Sequence, residues 1–141
     1  WSADGAGSWV RARGLPTVIT PHDGEFALLT GSAPGADRVA AARSLAGDLG
    51  CTLLLTGPTT VVAEPDGSVL VVDHGDQRLA TAGSGDVLAG MIAALLAADV
   101  PPDRAAAAAA WVHAEAARRG PRRGLLAGDI VDSIPEALSA W

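Results

Sequence analysis

The chain has 141 residues, a formal net charge of −6 and 49% hydrophobic residues. This length allows one globular domain with a single core. The negative charge argues against nucleic-acid binding, which needs a concentrated basic surface. The apolar segment 91–98 is shorter than the roughly 20 residues of a membrane span, and there is no signal-peptide pattern. We therefore expect no membrane partner and a cytoplasmic location.

The counts of cysteine and lysine exclude further kinds of site and mechanism. Cys51 is the one cysteine, which excludes an internal disulfide and a cysteine-based zinc site, and we expect it to be buried. All ten basic residues are arginine, so this chain supplies no lysine to any mechanism. The one methionine is Met91, from which we expect that further residues precede Trp1.

The first half of the chain predicts strand, helix, helix and strand. Residues 15–19 suit a short buried strand, and Thr20-Pro21 suits the cap and first position of a helix that Gly31 ends. Residues 36–49 show apolar side chains at helical spacing, and Gly50 suits the position after a helix. The apolar run 51–55 is typical of a strand covered on both faces.

The second half predicts a hairpin, a glycine-rich turn and three helices. Residues 60–63 and 69–72 flank the turn Pro65-Asp66-Gly67, which indicates a β-hairpin. The predicted helices cover residues 87–98, 103–119 and 130–138, with Asp103 and Asp129 as caps, and Pro135 should kink or interrupt the last one. Arg118, Arg119, Arg122 and Arg123 are interpreted as the basic end of a helix. The order predicts an α/β layered domain with few strands for its helices, consistent with a missing N-terminal portion.

The turn Gly83-Ser84-Gly85-Asp86 is the strongest candidate for chemistry. Two glycines followed at once by a helix can expose backbone N–H groups to an anion. Asp86 would hold a carboxylate beside that anion and could take a proton from an attacking hydroxyl. Taken alone, an ordinary tight turn with a favourable helix-dipole aspartate remains the better interpretation.

Two further segments stand in the same chain. Thr20-Pro21-His22-Asp23-Gly24-Glu25 is explained largely by helix capping, although His22 is not, and a histidine there is more often a surface or capping residue. Leu55-Thr56-Gly57-Pro58-Thr59-Thr60 by itself would be a strand-connecting turn. It is their combination with the glycine-rich turn that favours a function.

In this order the three segments resemble the ribokinase-like superfamily. The forms T-P-H-D-G-E, L-L-T-G-P-T-T-V-V-A-E-P-D-G and A-T-A-G-S-G-D-V-L-A-G are similar to those of the NAD(P)H-hydrate dehydratases, as is the tail from Gly124 to Leu138. The resemblance covers nearly the whole chain. It implies a ribokinase-like three-layer α/β/α fold, of which residues 1–141 are the C-terminal, nucleotide-binding portion. Residues 3–5 look like the remnant of a D-A-D-G-L segment that leaves a central strand.

The resemblance also implies roles for residues. Asp86 would be the catalytic base and contact the substrate, and Gly83, Ser84 and Gly85 would form the anion hole. His22 would contact the hydrated nicotinamide nucleotide, and Glu25 would help to organise Mg²⁺ through water. The adenine-nucleotide site would be lined by Gly85 and by Thr56, Gly57, Pro58, Thr59 and Thr60.

The implied reaction is nicotinamide-nucleotide repair by a hydro-lyase. Hydrated NADH or NADPH loses water while ADP, or ATP in some members, is consumed. The implied co-substrate is therefore ADP or ATP with Mg²⁺, and the expected partners are the hydrate, the nucleotide and a second copy of the chain. An epimerase domain fused upstream is a further possibility that the resemblance raises.

The chain departs from the family at one position and in its length. Most members have lysine at the position of Thr56, in an L-K-G-x-x-T pattern, and a neutral hydroxyl cannot replace that charge. We expect weaker nucleotide binding, or a compensating arginine from elsewhere. The shorter length leaves activity of this chain alone in question.

Two alternatives stay open. One is another ribokinase-like kinase that phosphorylates a hydroxymethylpyrimidine, thiazole or pyridoxal-type alcohol, although such kinases usually carry asparagine at the position of His22. The other is a catalytically impaired nucleotide-binding remnant, favoured by Thr56 and opposed by the intact Gly-Ser-Gly-Asp turn. His74 and His113 receive no role.

Overall fold

A computed structural model describes residues 3–139, which form three layers with a sheet between helices. The helices are α1 (Ala3–Arg13), α2 (Asp23–Thr30), α3 (Arg38–Leu49), α4 (Ser84–Ala97), α5 (Pro102–Arg119) and α6 (Ala127–Leu138), with a 3₁₀ turn at Gln77–Leu79. The strands are β1 (Val18–Ile19), β2 (Thr52–Leu55), β3 (Thr60–Ala63) and β4 (Val69–Val72).

The strands lie in the order β1-β2-β3-β4, with β1 parallel to β2 and the others antiparallel. Side chains alternate between the faces of β2, because successive residues of a strand point to opposite sides. Leu53 and Leu55 pack in a cluster with α1 and α3, whereas Leu54 packs with α4 and α5. All three leucines are fully buried, which confirms the prediction of a strand covered on both faces.

The predicted order of elements is confirmed from β1 onward, and the hairpin strands have the predicted bounds. Gly31 and Gly50 end α2 and α3 in the left-handed conformation, as predicted. Cys51 is buried, and desolvation together with the nearby Glu64 raises its thiol pKa to about 11. The thiol therefore stays protonated and behaves as a small apolar side chain.

Helix α1 was not predicted, because its sequence has two glycines and weak apolar periodicity. It forms through packing against α3, with Ala6 and Val10 buried. Gly7 makes this approach possible, since a Cβ there would lie 2.8 Å from the carbonyl oxygen of Asp48. Tertiary contact therefore overrides local propensity.

The predicted strand at 15–19 is wrong in its first part. Only Val18 and Ile19 pair with β2, and Leu15 is 59% exposed. Within residues 3–139, β1 has one neighbouring strand and forms the edge of the sheet.

Three predicted helix caps are also corrected. His22, and not Thr20, is the N-cap of α2, and Pro21 precedes the helix. Asp103 lies inside the first turn of α5, which begins at Pro102. Asp129 lies in the first turn of α6 and accepts from the amide of Leu126 over 2.8 Å. A first-turn carboxylate and a cap give the same sequence signal, since both favour acidic residues.

The predicted interruption at Pro135 is not observed, because α6 continues through this residue. Pro135 lies in the last turn, and Val131, whose carbonyl would have accepted from residue 135, is 49% exposed. Water can satisfy that carbonyl, so the missing N–H does not break the helix.

The basic end predicted for α5 is observed at Arg118 and Arg119 in its last turn. Arg119 pairs with Glu115 over 2.8 Å and with Glu136 of α6 over 2.7 Å. Among the helices of residues 3–139, none combines the length and the apolar character that crossing a membrane requires.

Candidate functional site

A cleft of about 940 Å³ lies between the ends of β2 and β4, the start of α2 and the start of α4. Its apolar walls include Val72, Leu79, Leu88, Ala110 and Ala114. This volume is in the range of pockets that bury a cofactor-sized ligand, and apolar walls suit a flat aromatic ring. Polar groups come from the two helix starts and from the loop after β2.

The side chains of His22 and Glu25 cap the start of α2. Nδ1 of His22 accepts from the amides of Gly24 over 3.0 Å and Glu25 over 3.2 Å. The Glu25 carboxylate accepts from the His22 amide over 3.0 Å, which completes a reciprocal cap. Gly24 is required here, since a Cβ would lie 2.9 Å from the imidazole.

This cap sets the tautomer of His22. Because Nδ1 accepts, the neutral ring carries its hydrogen on Nε2. The side chain is 65% exposed and lines the cleft, so Nε2–H is available to donate to a ligand. Capping and ligand contact are thus compatible in one histidine.

The start of α4 differs, because no side chain of residues 3–139 caps it. Its N-cap is Gly83, in the left-handed conformation at φ 85°. The Ser84 amide donates to the Thr81 carbonyl over 3.2 Å, which leaves the amides of Gly85 and Asp86 for a ligand. An uncapped helix start of this kind favours an anion.

Ser84 is buried and its hydroxyl lies 3.3 Å from Nε2 of His113, a buried residue of α5 that also lines the cleft. Burial lowers the pKa of His113, and the hydrogen bond with Ser84 opposes that shift only in part. The ring is therefore neutral near pH 7 and can act as donor or acceptor toward Ser84.

The loop after β2 is held by main-chain contacts. The Thr56 amide donates to the Pro21 carbonyl over 3.0 Å, and the Thr56 hydroxyl lies 3.3 Å from the same oxygen. Arg38 lies behind this loop, donating to the Thr56 carbonyl over 2.9 Å and to the Asp23 carboxylate over 2.7 Å. The structure therefore places an arginine at the loop where the family usually has lysine.

The cleft also has a wall formed by residues 73–81, which sequence patterns did not identify. His74 stacks on Trp111 of α5 with ring centroids 4.8 Å apart, and its Nε2 lies 2.9 Å from the Glu115 carboxylate. Three hydrogen bonds from Arg78, two from its side chain and one from its amide, lower the pKa of Asp76 to about 2. These contacts fix the segment against α5.

The structure brings most predicted site residues to one cleft. His22, Thr56, Gly57, Pro58, Thr60, Ser84 and Gly85 line it. Thr59, Gly83, Glu25 and Asp86 are adjacent in sequence to lining segments but are not among the residues that line it. Asp86 is exposed in the first turn of α4 and directly follows Gly85, which lines the cleft.

No role was predicted for His74 or His113 from the sequence. In the structure His113 contacts Ser84, and His74 contacts Trp111 and Glu115. The signal for His113 was present, because it shares the buried helical face with Ala106, Ala109, Ala110 and Ala117. No comparable signal existed for His74, whose partners lie 37 and 41 residues away.

Residues 5–137 match the Carb_kinase family, described as NAD(P)H-hydrate dehydratase. The chain is 59% identical over 105 residues to the bifunctional NAD(P)H-hydrate repair enzyme Nnr of Mycobacterium leprae, covering 74% of this chain and 22% of that protein. It is 47% identical over 128 residues to the ADP-dependent (S)-NAD(P)H-hydrate dehydratase of Neisseria meningitidis, covering 84% and 43%. The chain therefore spans less than half the length of these relatives.

A solved structure gives the same result for the fold. The ADP/ATP-dependent NAD(P)H-hydrate dehydratase of Bacillus subtilis, co-crystallised with ATP and Mg²⁺, superposes with a TM-score of 0.83 at 32% identity. The match covers 89% of this chain and 48% of that one. The predicted ribokinase-like α/β fold is confirmed.

Proposed function

Because the chain belongs to the NAD(P)H-hydrate dehydratase family, we propose that it takes part in the dehydration of hydrated NADH or NADPH, with ADP or ATP as co-substrate. The observation that carries this proposal is the uncapped start of α4, whose free amides meet the cleft between the His22 and Thr56 segments. The relatives at 59% and 47% identity are named for hydrate repair or dehydration, which does not favour the alternative of an alcohol kinase.

We propose that the turn at Gly83, Ser84 and Gly85 surrounds the transferred phosphoryl group, with the amides of Gly85 and Asp86 as its free donors. Preorganised N–H donors stabilise charge that develops there without reorganising during the reaction. Asp86 follows directly in the same turn and is exposed, so its carboxylate is free to meet a substrate hydroxyl. We assign Asp86 as the general base on this ground.

The nucleotide would occupy the cleft, with its ring against the apolar walls and its phosphates toward the start of α4. The loop at Thr56, Gly57, Pro58, Thr59 and Thr60 would contact the nucleotide. Exposed Nε2–H of His22 would donate to the hydrated nicotinamide nucleotide at the opposite side. We therefore propose that the start of α4 faces phosphate and that the start of α2 faces the substrate.

The side chains of this site fit Mg²⁺ only through an intervening water molecule. Residues 3–139 contain no group of three or more histidine, cysteine or acidic side chains that could hold a metal. One Glu25 oxygen already accepts from the His22 amide, which leaves the other for a water molecule. Mg²⁺ usually keeps several waters and binds phosphates, so we propose that Glu25 meets it through water. When bound, the ion neutralises phosphate charge.

The proposed reaction is a phosphoryl transfer followed by an elimination. Asp86 takes the proton of the ring hydroxyl as the hydroxyl oxygen attacks the terminal phosphorus of ADP. The bond between that phosphorus and the bridging oxygen breaks, and AMP leaves. The lone pair of the ring nitrogen then expels phosphate, a better leaving group than hydroxide. Loss of a proton from the neighbouring ring carbon restores NADH, giving AMP and phosphate as the other products.

Residues 1–141 are proposed to be the C-terminal, nucleotide-binding portion of a single dehydratase domain. The coverage of about half of the B. subtilis chain supports this division. The mycobacterial relative is named bifunctional, which supports the prediction of a second, epimerase activity in the longer proteins. The cytoplasmic location and the homo-oligomer stay predictions.

The test is to incubate the protein with hydrated NADH, ADP and Mg²⁺ and to follow the recovery of absorbance due to NADH. Recovery that depends on ADP and releases one phosphate per NADH is expected. Phosphorylation of a pyrimidine, thiazole or pyridoxal-type alcohol without recovery would support the kinase alternative. ADP binding without turnover would support the nucleotide-binding remnant.

A further inference from the structure

Arg38 is a charged side chain that contacts two of the segments lining the cleft, although it does not line the cleft itself. It is the first residue of α3, and its side chain is 18% exposed. One guanidinium nitrogen donates to Asp23 at the start of α2, and the other donates to the carbonyl of Thr56 in the loop after β2. Arg38 thus joins the two segments to which the proposed function assigns substrate and nucleotide.

The geometry depends on the planar fork of the guanidinium. Its two terminal nitrogens reach acceptors on separate segments, a task that a lysine with a single ammonium group performs less well. Gly57 makes room for it, because a Cβ at residue 57 would overlap the Arg38 guanidinium. The loop sequence and the arginine are therefore mutually adapted.

Arg38 also keeps a polar atom without a partner. Its Nε is buried and has no hydrogen-bond partner among residues 3–139. An unsatisfied buried donor costs free energy, and the carboxylate of Asp23 is 52% exposed, so the ion pair contributes little stability in return. Fold stability alone gives a weak reason for a largely buried arginine here.

We propose that Arg38 is a positioning residue that holds the Thr56–Gly57 loop at a fixed distance from the His22–Glu25 segment and thereby sets the affinity for ADP. This inference rests on the proposed function for the identity of the ligand. Arg38 would then be the compensating arginine expected from the sequence. Through its hydrogen bond to the Thr56 carbonyl, it would order the loop that lacks lysine.

The test compares Arg38→Gln with Arg11→Gln as a matched control. Arg11 also donates to a main-chain carbonyl, that of Asp48 over 3.0 Å, but lies on α1 away from the cleft. We expect Arg38→Gln to raise the KM for ADP about 10- to 100-fold, as displaced binding groups do, with kcat at saturating ADP close to that of the unaltered protein. Arg11→Gln should leave the KM for ADP unchanged.

A merely structural role predicts a different result. Partial unfolding lowers the amount of active protein, so kcat would fall while KM stayed constant. That result, or an unchanged KM for ADP in Arg38→Gln, would overturn the proposal. Arg38→Lys serves as the second variant if the glutamine variant fails to fold. It keeps the charge but cannot bridge both acceptors, so its KM for ADP should also rise, and full retention of the original KM would overturn the bridging role.

Amide hydrogen exchange without ligand separates this inference from the proposed function. Arg38→Gln should accelerate exchange in residues 22–25 and 56–60 together, and leave the hairpin turn at 65–68 unchanged. Unchanged exchange in both segments would contradict the bridge even if the protein proved active on hydrated NADH. Conversely, absence of turnover in the unaltered protein with accelerated exchange in the variant would reject only the proposed function.

Discussion

The two helix starts at the cleft differ in how their backbone amides are satisfied. At α2 the imidazole of His22 and the carboxylate of Glu25 form a reciprocal cap. At α4 the N-cap is Gly83, which has no side chain, and within residues 3–139 no other side chain replaces it. A capped start holds its capping residue in place, whereas an uncapped start leaves backbone N–H groups that can bind an anion. The two helix starts at one cleft thus differ in whether their backbone amides are free for a ligand.

The largest effect is expected from Asp86→Asn at the uncapped start. Without a general base, turnover of hydrated NADH should fall by about 10²- to 10⁴-fold. Binding of ADP, measured by calorimetry, should change by less than about fivefold, because a charge at a helix start contributes little. Asp132→Asn on the exposed face of α6 is the control. Turnover retained within a factor of two would remove Asp86 from the mechanism.

At the capped start, two substitutions of His22 separate capping from substrate contact. Asparagine is a good N-cap, so His22→Asn should keep the free energy of unfolding, whereas His22→Ala should lower it by about 1 kcal/mol. Both should raise the KM for hydrated NADH about five- to tenfold, the value of one hydrogen bond. Denaturant titration and steady-state kinetics measure the two effects. A normal KM in His22→Asn would show that the imidazole only caps.

The glycine at the uncapped start can be tested against a glycine elsewhere. Gly83 and Gly67 have φ of 85° and 88°, so alanine at either should cost about 1–2 kcal/mol of stability. Gly83 also faces Ala127, whose Cβ would lie 3.2 Å from the new methyl group, whereas Gly67 has open space. Thermal unfolding should show a loss in both variants, and weaker ADP binding in Gly83→Ala alone. Equal ADP affinity in the two variants would argue against the anion site.

The smallest expected effect is the pH dependence of stability that arises from His113, the buried residue that contacts Ser84 at the start of α4. Because burial holds the pKa of His113 below its unfolded value of 6.5, the unfolded chain takes up a proton first as pH falls. Stability should therefore be full above that value and decline as pH falls through it. The lowered pKa values of Glu115 and Asp76 act in a more acidic range, below 4.5 and 3.8.

The measurement is the free energy of unfolding between about pH 8 and about pH 5.5, where Glu115 and Asp76 contribute little. Burial raises the pKa of Glu64, which affects stability in the opposite sense as pH falls and is common to both proteins compared. His113→Gln keeps a polar partner for Ser84 but does not titrate, so the decline should become shallower. The same slope in both proteins would assign the decline to other groups.

The sequence by itself predicted most of the fold and the three motifs that meet at the cleft. A continuous apolar run predicted β2, and the turn Pro65-Asp66-Gly67 between two apolar segments predicted the hairpin. The glycine-rich turn, His22 and the Thr56 loop could be identified because each is a short contiguous motif. The role of Asp86 stays a prediction, since exposure is compatible with it but does not test it.

Tertiary structure alone decided what joins these motifs. Helix α1 packs on α3 through Ala6 and Val10. Leu15 lies outside β1, does not pair with β2 and has an exposed side chain. Arg38 reaches Asp23 and Thr56 across 15 and 18 residues, and His113 reaches Ser84 across 29. Local patterns specify elements and turns through backbone preferences. They cannot specify such contacts, because these depend on how packed elements bring distant residues together.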